Sequence, residues 1–286
     1  MKKSLFILFS LLAFSMDVGA QNKLDKLTAD EVVAKHLASI GTPEAIAAAK
    51  TRVLVGEGTL TAKLGTPFTL NSMAQIASQG DKILYTMIFN STTYPYEKAA
   101  FDGKNTSLGL PNGKRTLLTD FLKSQSAILK DGLFTGTLSS AWPLLEIKSK
   151  KSVKLEYAGI GKVDGKQYYK LKYSSGRTGD LKVTLYFEPE TFRHTRSEYE
   201  YSIEPRIGTS ATDVRSSSRI ERYFLTEEFS DFKTAGKLVL PLTYKITITN
   251  ELQIESQPGT NSREWTVKIM NVYYDETLSG DIFKVS

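Results

Sequence analysis

Apolar and polar positions alternate most regularly in the heptapeptide LKVTLYF at residues 181–187. In an extended chain, its odd positions share one face and its even positions share the other. This period of two is typical of a β-strand with one buried face. The side chains on that face are Leu181, Val183, Leu185 and Phe187.

The same alternation recurs along most of the chain and predicts a large antiparallel sheet. Turn-forming pairs such as Asp164-Gly165 and Ser175-Gly176 separate neighbouring segments and favour hairpins. Roughly ten or eleven strands result, and an open sheet of that size tends to curl. We therefore predict a mainly β fold with a few helices, in which a strongly curved antiparallel sheet forms a half-open barrel. The candidate strands are residues 52–64, 66–78, 82–90, 96–101, 153–162, 167–174, 181–187, 193–203, 216–232, 240–252 and 263–274.

Two segments depart from the strand pattern and predict helices. Thr28 and Glu31 have the spacing of a capping box, and apolar residues follow at helical spacing until Gly41, after which Pro43 begins a second, short helix. Residues 111–147, which we call the insert, combine helical spacing with Gly- and Ser-rich stretches and few charges. This pattern predicts one or two short amphipathic helices and an irregular apolar loop. Such a segment lies against the sheet or exposes a sizeable apolar patch.

The N-terminal twenty residues have the pattern of a cleaved secretory signal. Two lysines precede a short apolar stretch, and Val18-Gly19-Ala20 supplies small residues for cleavage. The apolar stretch is too short for a membrane span, which needs about 20 residues. We expect residues 1–20 to be removed and residues 21–286 to form a single half-barrel domain, soluble and monomeric, in the bacterial periplasm. The 286-residue chain contains no cysteine, so this domain relies on its core without disulfides.

The composition argues against catalysis, metal binding and nucleic-acid binding. The excess of 37 basic over 31 acidic residues is mild. Without cysteine and with two separated histidines, the chain offers neither a thiol nucleophile nor a zinc site. We interpret His36 as a packing residue of the first helix and His194 as a solvated residue on a polar strand face. Two carboxylate pairs are interpreted as solvent-facing rather than as a glycosidase pair: Glu188 with Glu190, and Glu198 with Glu200. We predict no enzymatic activity, no cofactor, no metal and no nucleic-acid partner.

Several short segments resemble the LolA/LolB-like family of periplasmic outer-membrane lipoprotein-sorting proteins. The similar segments are EVVAKHLASIG at 31–41, FDGK at 101–104, VDGKQYYKL at 163–171, VTLYFEPET at 183–191 and FSDFK at 229–233. The resemblance implies a half-open barrel closed by helices, with a cavity that shields acyl chains of a lipoprotein. It also implies transient contact with sorting components of the inner and outer membranes. The family often has an Arg-Pro pair on an early strand. The corresponding residues 79–87 read QGDKILYTM here and lack that pair.

The patterns and the resemblance together predict a carrier that shields a lipidated protein or another lipid-like apolar ligand. We expect ten apolar side chains of the concave sheet to form the cavity wall: Tyr169, Leu171, Tyr173, Leu181, Val183, Leu185, Phe187, Tyr244, Ile246 and Ile248. We expect six side chains of the insert to form a lid: Leu118, Phe121, Leu122, Ile128, Leu129 and Phe134. In the empty protein the lid covers the wall, so binding exchanges lid contacts for ligand contacts.

Three other interpretations remain open from the sequence. The core between wall and lid is permanently filled and holds no cavity, or the same half-barrel serves as an envelope-stress-type sensor or protein-interaction module without transport. An enzyme is the third, and the shortage of catalytic groups disfavours it.

Overall fold

A computed structural model describes residues 26–62, 67–149, 152–203, 220–253 and 259–284 of the chain. The predicted signal peptide at residues 1–20 and the predicted start of the domain at residue 21 lie outside these residues, as do residues 63–64, 66 and 216–219 of three predicted strands. Among the described residues, no helix has the length and apolar character needed to span a bilayer.

The two N-terminal helices begin and end at the predicted residues. Helix α1 spans Ala29–Ile40 and α2 spans Pro43–Ala47. The Thr28 hydroxyl accepts from the Glu31 amide, and the Glu31 carboxylate accepts from the Thr28 amide at 2.7 Å, so the predicted capping box is confirmed. Gly41 caps the C-terminus of α1, and Pro43 starts α2.

The described strands form one antiparallel sheet of 12 strands. Its spatial order is β5-β4-β3-β2-β1-β12-β11-β10-β9-β8-β7-β6, so the first and last strands pair in the middle while β5 and β6 form the two edges. The sheet is curved and not closed, so the predicted mainly β, half-open barrel is confirmed. The strands are β1 Thr51–Ala62, β2 Phe68–Gln79, β3 Lys82–Phe89, β4 Tyr96–Phe101, β5 Thr106–Leu108, β6 Lys154–Val163, β7 Lys166–Ser174, β8 Lys182–Phe187, β9 His194–Ile203, β10 Ile220–Ala235, β11 Leu238–Gln253 and β12 Gly259–Tyr274.

The insert runs from one edge of the sheet to the other, because it lies in the connection between β5 and β6. It contains helices α3 (Leu117–Ser124) and α4 (Ala127–Lys130) and short 3-10 turns at Pro111–Gly113, Gly136–Leu138 and Pro143–Ser149. None of its residues pairs with the sheet as a strand. Its helical character confirms the pattern predicted for this segment.

The main core lies between the concave face of the sheet, the insert and α1. A smaller cluster covers the opposite face of β1–β4, where Phe283 of the C-terminal segment packs against Val53, Ala77, Leu84 and Ala100. The two faces of β1 thus serve different clusters, as the period of two requires.

Candidate functional site

All ten predicted wall residues lie on the buried face of β7, β8 and β11 or directly before β8. Each is at most 4% exposed, and all ten belong to the main core cluster. Leu171 pairs with Leu185 across β7 and β8, and Tyr244 pairs with Val267 across β11 and β12. The structure therefore brings the predicted wall together on one continuous surface.

The six predicted lid residues are buried in the core that also contains the wall, and their aromatic contacts reach β10 and β3. Each is at most 1% exposed and belongs to the same cluster. Helix α3 presents Phe121 towards Tyr223 of β10, with their ring centroids 6.2 Å apart. The ring of Phe134 meets Tyr85 of β3 edge to face, at 5.3 Å. The insert thus covers the concave face, and the ligand-binding role of these sixteen residues stays a prediction.

A buried carboxylate joins the middle of the insert to three strands. Glu227 of β10 accepts hydrogen bonds from the Thr135 amide at 2.7 Å, the Tyr199 hydroxyl at 2.7 Å and the Tyr244 hydroxyl at 2.5 Å. Burial raises the pKa of Glu227 to about 7, although the three hydrogen bonds favour the charged form. Glu227 was not among the residues predicted for the site. Glu227 shares the apolar face of its strand with Leu225 and Phe229. A charged residue on such a face is the sequence feature that could have identified it.

The two histidines lie together where α1, the insert and β9 meet. His36 donates from Nδ1 to the Phe192 carbonyl at 3.1 Å and accepts at Nε2 from the Trp142 indole at 3.1 Å, which assigns its neutral tautomer. Trp142 also stacks on His194, with ring centroids 4.6 Å apart. Burial lowers the pKa of His36 to about 4 and holds that of His194 well below its usual range.

The prediction for His36 as a packing residue is confirmed, whereas the prediction of a solvated His194 is wrong. His194 is fully buried. The cause is a register irregularity between β8 and β9, where Tyr186 pairs with Arg196 but Phe187 pairs with His194. One extra residue at this point moves His194 to the concave face, although its sequence neighbours alternate as if it faced solvent.

An aspartate at the end of α4 holds the insert to the loop between β7 and β8. Asp131, which is 4% exposed, accepts from the Ser175 hydroxyl at 2.5 Å and from Arg177 Nη1 at 2.8 Å. The Tyr173 hydroxyl donates to the same carboxylate at 3.3 Å. These contacts tie the insert to the edge of the sheet that lies opposite β5.

A buried arginine of β1 holds residues 137–139 of the insert. Arg52 donates from Nε to the Ala49 carbonyl at 3.0 Å and from Nη1 to the carbonyls of Thr137 and Ser139 at 2.8 and 3.2 Å. It is 1% exposed, and burial lowers its pKa to about 10. Arg52 was not among the residues predicted for the site. Arg52 lies two residues before Leu54 and so shares its buried face of β1. A charged residue on that face is the sequence feature that could have identified it.

A pocket of about 1170 Å³ lies between α1, α2 and residues 140–146 of the insert. We call it the α1–α2 pocket. Its wall includes Ala49 and Trp142, which are members of the main core cluster, so the pocket adjoins the buried concave face. Its apolar lining also includes Ala34, Leu37, Ala38, Ile46, Ala47 and Leu145.

The remaining candidates for chemistry are engaged on the surface of the sheet. Glu198 bonds with the Tyr186 hydroxyl and Arg196, and Glu200 pairs with Lys182 at 3.0 Å. These groups border a groove of about 1060 Å³ along β6–β10. Among the described residues, no group of three or more His, Asp or Glu side chains is placed to hold a metal ion.

Comparisons with known proteins give similarity at the level of structure. No family model matches the sequence, and no curated protein matches it. A LolA superfamily protein from Nitrosomonas europaea is 13% identical over 91% of this chain and 99% of that chain, with a TM-score of 0.44. An outer membrane lipoprotein-sorting protein domain from Vibrio parahaemolyticus is 11% identical over 88% and 94% of the two chains, with a TM-score of 0.42. The MucA/MucB complex structure from Pseudomonas aeruginosa matches at 8% identity over 86% of this chain and 100% of that chain, with a TM-score of 0.22. The likeness to LolA superfamily proteins agrees with the predicted resemblance, at low sequence identity and with TM-scores below 0.5.

Proposed function

We propose that the protein is a non-catalytic periplasmic carrier that binds the apolar part of a ligand beneath the insert. The supporting observation is the path of the insert between the two edge strands of an open sheet. In a closed barrel the sheet itself encloses its inner face. Here the sheet is open, and a segment that does not pair as a strand covers that face. Such a cover leaves the sheet hydrogen bonds intact when a ligand replaces it.

The energies of lid and ligand are of similar size. Burial of a large apolar side chain is worth about 1.5–3 kcal/mol, so six lid residues amount to roughly 9–18 kcal/mol. A sixteen-carbon acyl chain, at about 0.8 kcal/mol per methylene, amounts to about 13 kcal/mol. In apolar burial, exchange of the lid for an acyl chain is therefore nearly balanced, and the polar contacts of Arg52, Asp131 and Glu227 favour the closed lid.

The α1–α2 pocket is the place where we expect this exchange to begin. It is open to solvent at α1 and α2, and its inner wall consists of core side chains. An acyl chain that enters there meets Trp142 and Leu145 of the insert first. Continued insertion then displaces the lid residues from the wall.

The biological role that we propose is the sorting of lipidated proteins to the outer membrane. The signal-peptide pattern of residues 1–20 and the resemblance to lipoprotein-sorting proteins support this role. The ligand would be the acyl chains of a lipoprotein, with transient contacts to sorting components of both membranes. The protein itself would act as a single half-barrel domain and a monomer.

Native mass spectrometry and dye binding test the proposed carrier. Protein purified gently from the periplasm is expected to retain a lipid mass and, after delipidation, to bind the neutral dye N-phenyl-1-naphthylamine. Phe121→Asp places a charge in the lid and is expected to weaken dye binding while the far-UV circular dichroism of the sheet persists. Phe283→Asp is the matched control, because Phe283 is equally buried but lies on the opposite face. If Phe121→Asp abolishes the folded state, the core is permanently filled and the proposed carrier is wrong.

A protein-interaction module is the second candidate, supported by an apolar pair on the outer face. Met73 and Ile88 pair across β2 and β3 and are 63% and 57% exposed. Exposed apolar side chains that neighbour each other are a feature of protein interfaces. A module of this kind would give a lipid-free mass, no dye binding and a co-purifying protein that the Met73→Lys variant no longer retains.

A further inference from the structure

The residues of the insert with a left-handed backbone lie in two short stretches on either side of α3 and α4. Asn112 and Gly113 precede α3, with φ of 52° and 71°. Gly132, Thr135 and Gly136 follow α4, with φ of 75°, 67° and 50°. A β-branched residue such as Thr135 adopts this conformation under strain. Hinges are short stretches next to regular elements in which a few residues absorb a change of φ and ψ, so both stretches are placed as hinges for the segment between them.

The segment between these stretches, residues 117–130, contacts the sheet through apolar side chains. We call it the flap. Within the described residues, no hydrogen bond or ion pair joins the flap to a strand or to α1. Residues 136–147 differ, because the Ser140 amide donates to the Ser78 hydroxyl at 2.9 Å and other polar contacts reach Arg52 and His36. Hydrogen bonds therefore fix the second half of the insert to the sheet and to α1, whereas the flap is held along its length by apolar contacts.

Two buried carboxylates of the sheet hold the residues that border the flap. Glu97 of β4 accepts from the hydroxyl of Thr116, the N-cap of α3, at 2.7 Å, and also from the Tyr94 hydroxyl. On the other side of the flap, Glu227 of β10 accepts from the Thr135 amide at 2.7 Å. Both glutamates are fully buried, and no ion pair joins either of them to a cation within the described residues.

The surroundings of Glu97 and Glu227 favour the protonated carboxyl. An unpaired charge is costly in a protein interior, so burial raises the pKa of each to about 7, although the hydrogen bonds favour the charged form. The titratable groups that face the two glutamates in the described residues are four tyrosines: Tyr85, Tyr94, Tyr199 and Tyr244. Burial raises the pKa of each of these tyrosines, so they stay neutral while the glutamates ionise.

We propose that the flap opens on the two hinges, that ionisation of Glu97 and Glu227 releases it, and that residues 136–147 stay on the sheet. This inference rests on the proposed function and adds a control of access to the same core. In the closed protein the two carboxyls are protonated and shielded from water. Once ionised, each carboxylate gains hydration when the flap leaves, so the open form becomes more populated as the pH rises through neutrality.

The rate of dye entry at pH 6 and pH 8 tests this control of access. Stopped-flow fluorescence follows neutral N-phenyl-1-naphthylamine as it enters the delipidated protein. A pKa of about 7 in the closed form, against 4.5 for an ordinary glutamate, shifts the ratio of open to closed protein by about tenfold for each group over this range, so we expect entry to be at least about tenfold faster at pH 8. Glu97→Gln and Glu227→Gln are each expected to reduce this pH dependence, and the double variant is expected to abolish it. Glu200→Gln, which removes a carboxylate of β9 that pairs with Lys182, is the control and is expected to keep it.

Hydrogen exchange of the unmodified protein keeps the test decisive if the double variant does not fold. Mass spectrometry compares peptides from residues 117–130 and 136–147 at pH 6 and pH 8, after correction for the intrinsic pH dependence of exchange. Helices as short as α3 and α4 are marginal without packing, so we expect the protection of the flap to fall at least about tenfold at pH 8, while residues 136–147 keep theirs.

The outcomes separate the pH-controlled flap from the proposed carrier. Equal losses of protection in both segments, unchanged protection of the flap, or a double variant whose dye entry keeps the pH dependence of the wild type would overturn the flap and leave the carrier standing. A flap that loses protection as expected in a protein that binds no dye at either pH would overturn the carrier and leave the flap standing.

Discussion

The buried carboxylate of Glu227 makes the attachment of the insert dependent on pH, and Glu227→Gln isolates this dependence. In the folded protein the pKa of Glu227 is about 7, against 4.5 for an ordinary glutamate. A group whose pKa is raised by folding contributes stability below its unfolded pKa and loses that contribution as the pH rises through its folded pKa. The difference of about 2.5 pH units corresponds to about 3 kcal/mol, lost between pH 4.5 and pH 7.

Glutamine has no proton to lose, so Glu227→Gln removes this loss of stability. At pH 4.5 the variant is expected to be somewhat less stable than the wild type, because its amide replaces a protonated carboxyl among three donors. From pH 4.5 to pH 8 the difference in free energy of unfolding is expected to shift by about 3 kcal/mol in favour of the variant. Other titrating groups cancel in this difference.

Urea unfolding followed by circular dichroism at pH 4.5, 6 and 8 measures the effect. Glu200→Gln, which removes a half-buried glutamate of the neighbouring strand β9 that pairs with Lys182, is the control for the loss of one charge. A difference between Glu227→Gln and the wild type that is the same at all three pH values would refute the reasoning.

Two further predictions concern the contacts of the insert. Burial lowers the pKa of His36 to about 4, so the contribution of His36 to stability is complete above pH 6.5 and is lost as the pH falls towards 4. The free energy of unfolding of the wild type, relative to that of His36→Gln, should therefore drop by roughly 3 kcal/mol over that window in urea titrations. A difference between the two proteins that stays constant with pH would contradict this. Gly132→Ala should destabilise the fold by about 2 kcal/mol or more, because the added Cβ would lie 1.9 Å from the Ala141 carbonyl oxygen. Gly113 has a similar positive φ and open space around it, so Gly113→Ala is the control. Equal changes in melting temperature for the two variants would show that the clash with Ala141 does not destabilise the fold.

The period of two was sufficient to predict the sheet and its buried face. The wall residues of β7, β8 and β11 follow the alternation and are buried as expected, although Tyr186 on the opposite phase of β8 is buried as well. Strand β5 was missed because three residues are too few to show a period. The pairing of the first strand with the last was also out of reach, because alternation does not encode which distant strands are neighbours.

The alternation predicts the wrong face for a side chain where the backbone is irregular. The bulge beside Phe187 moves His194 to the opposite face of the sheet, and the alternation of the sequence gives no sign of this bulge. Arg52 and Glu227 are different, because each falls on the inward phase of its strand. A charged residue in an inward phase is a signal of a buried polar contact, and here both contacts reach the insert.

The central claim is that the insert is a replaceable cover, and a disulfide that fixes it in place tests this claim most directly. The Ser175 hydroxyl lies 2.5 Å from the Asp131 carboxylate, so positions 131 and 175 are chosen for a cysteine pair in a chain that has none, and mass spectrometry of the Asp131→Cys/Ser175→Cys variant shows whether the disulfide forms. The oxidised and reduced forms of this variant differ only in the bond between the insert and the sheet. We predict that the oxidised form binds N-phenyl-1-naphthylamine at least about tenfold more weakly than the reduced form, which is about 1.4 kcal/mol. Equal dye affinity in the two forms would contradict the account.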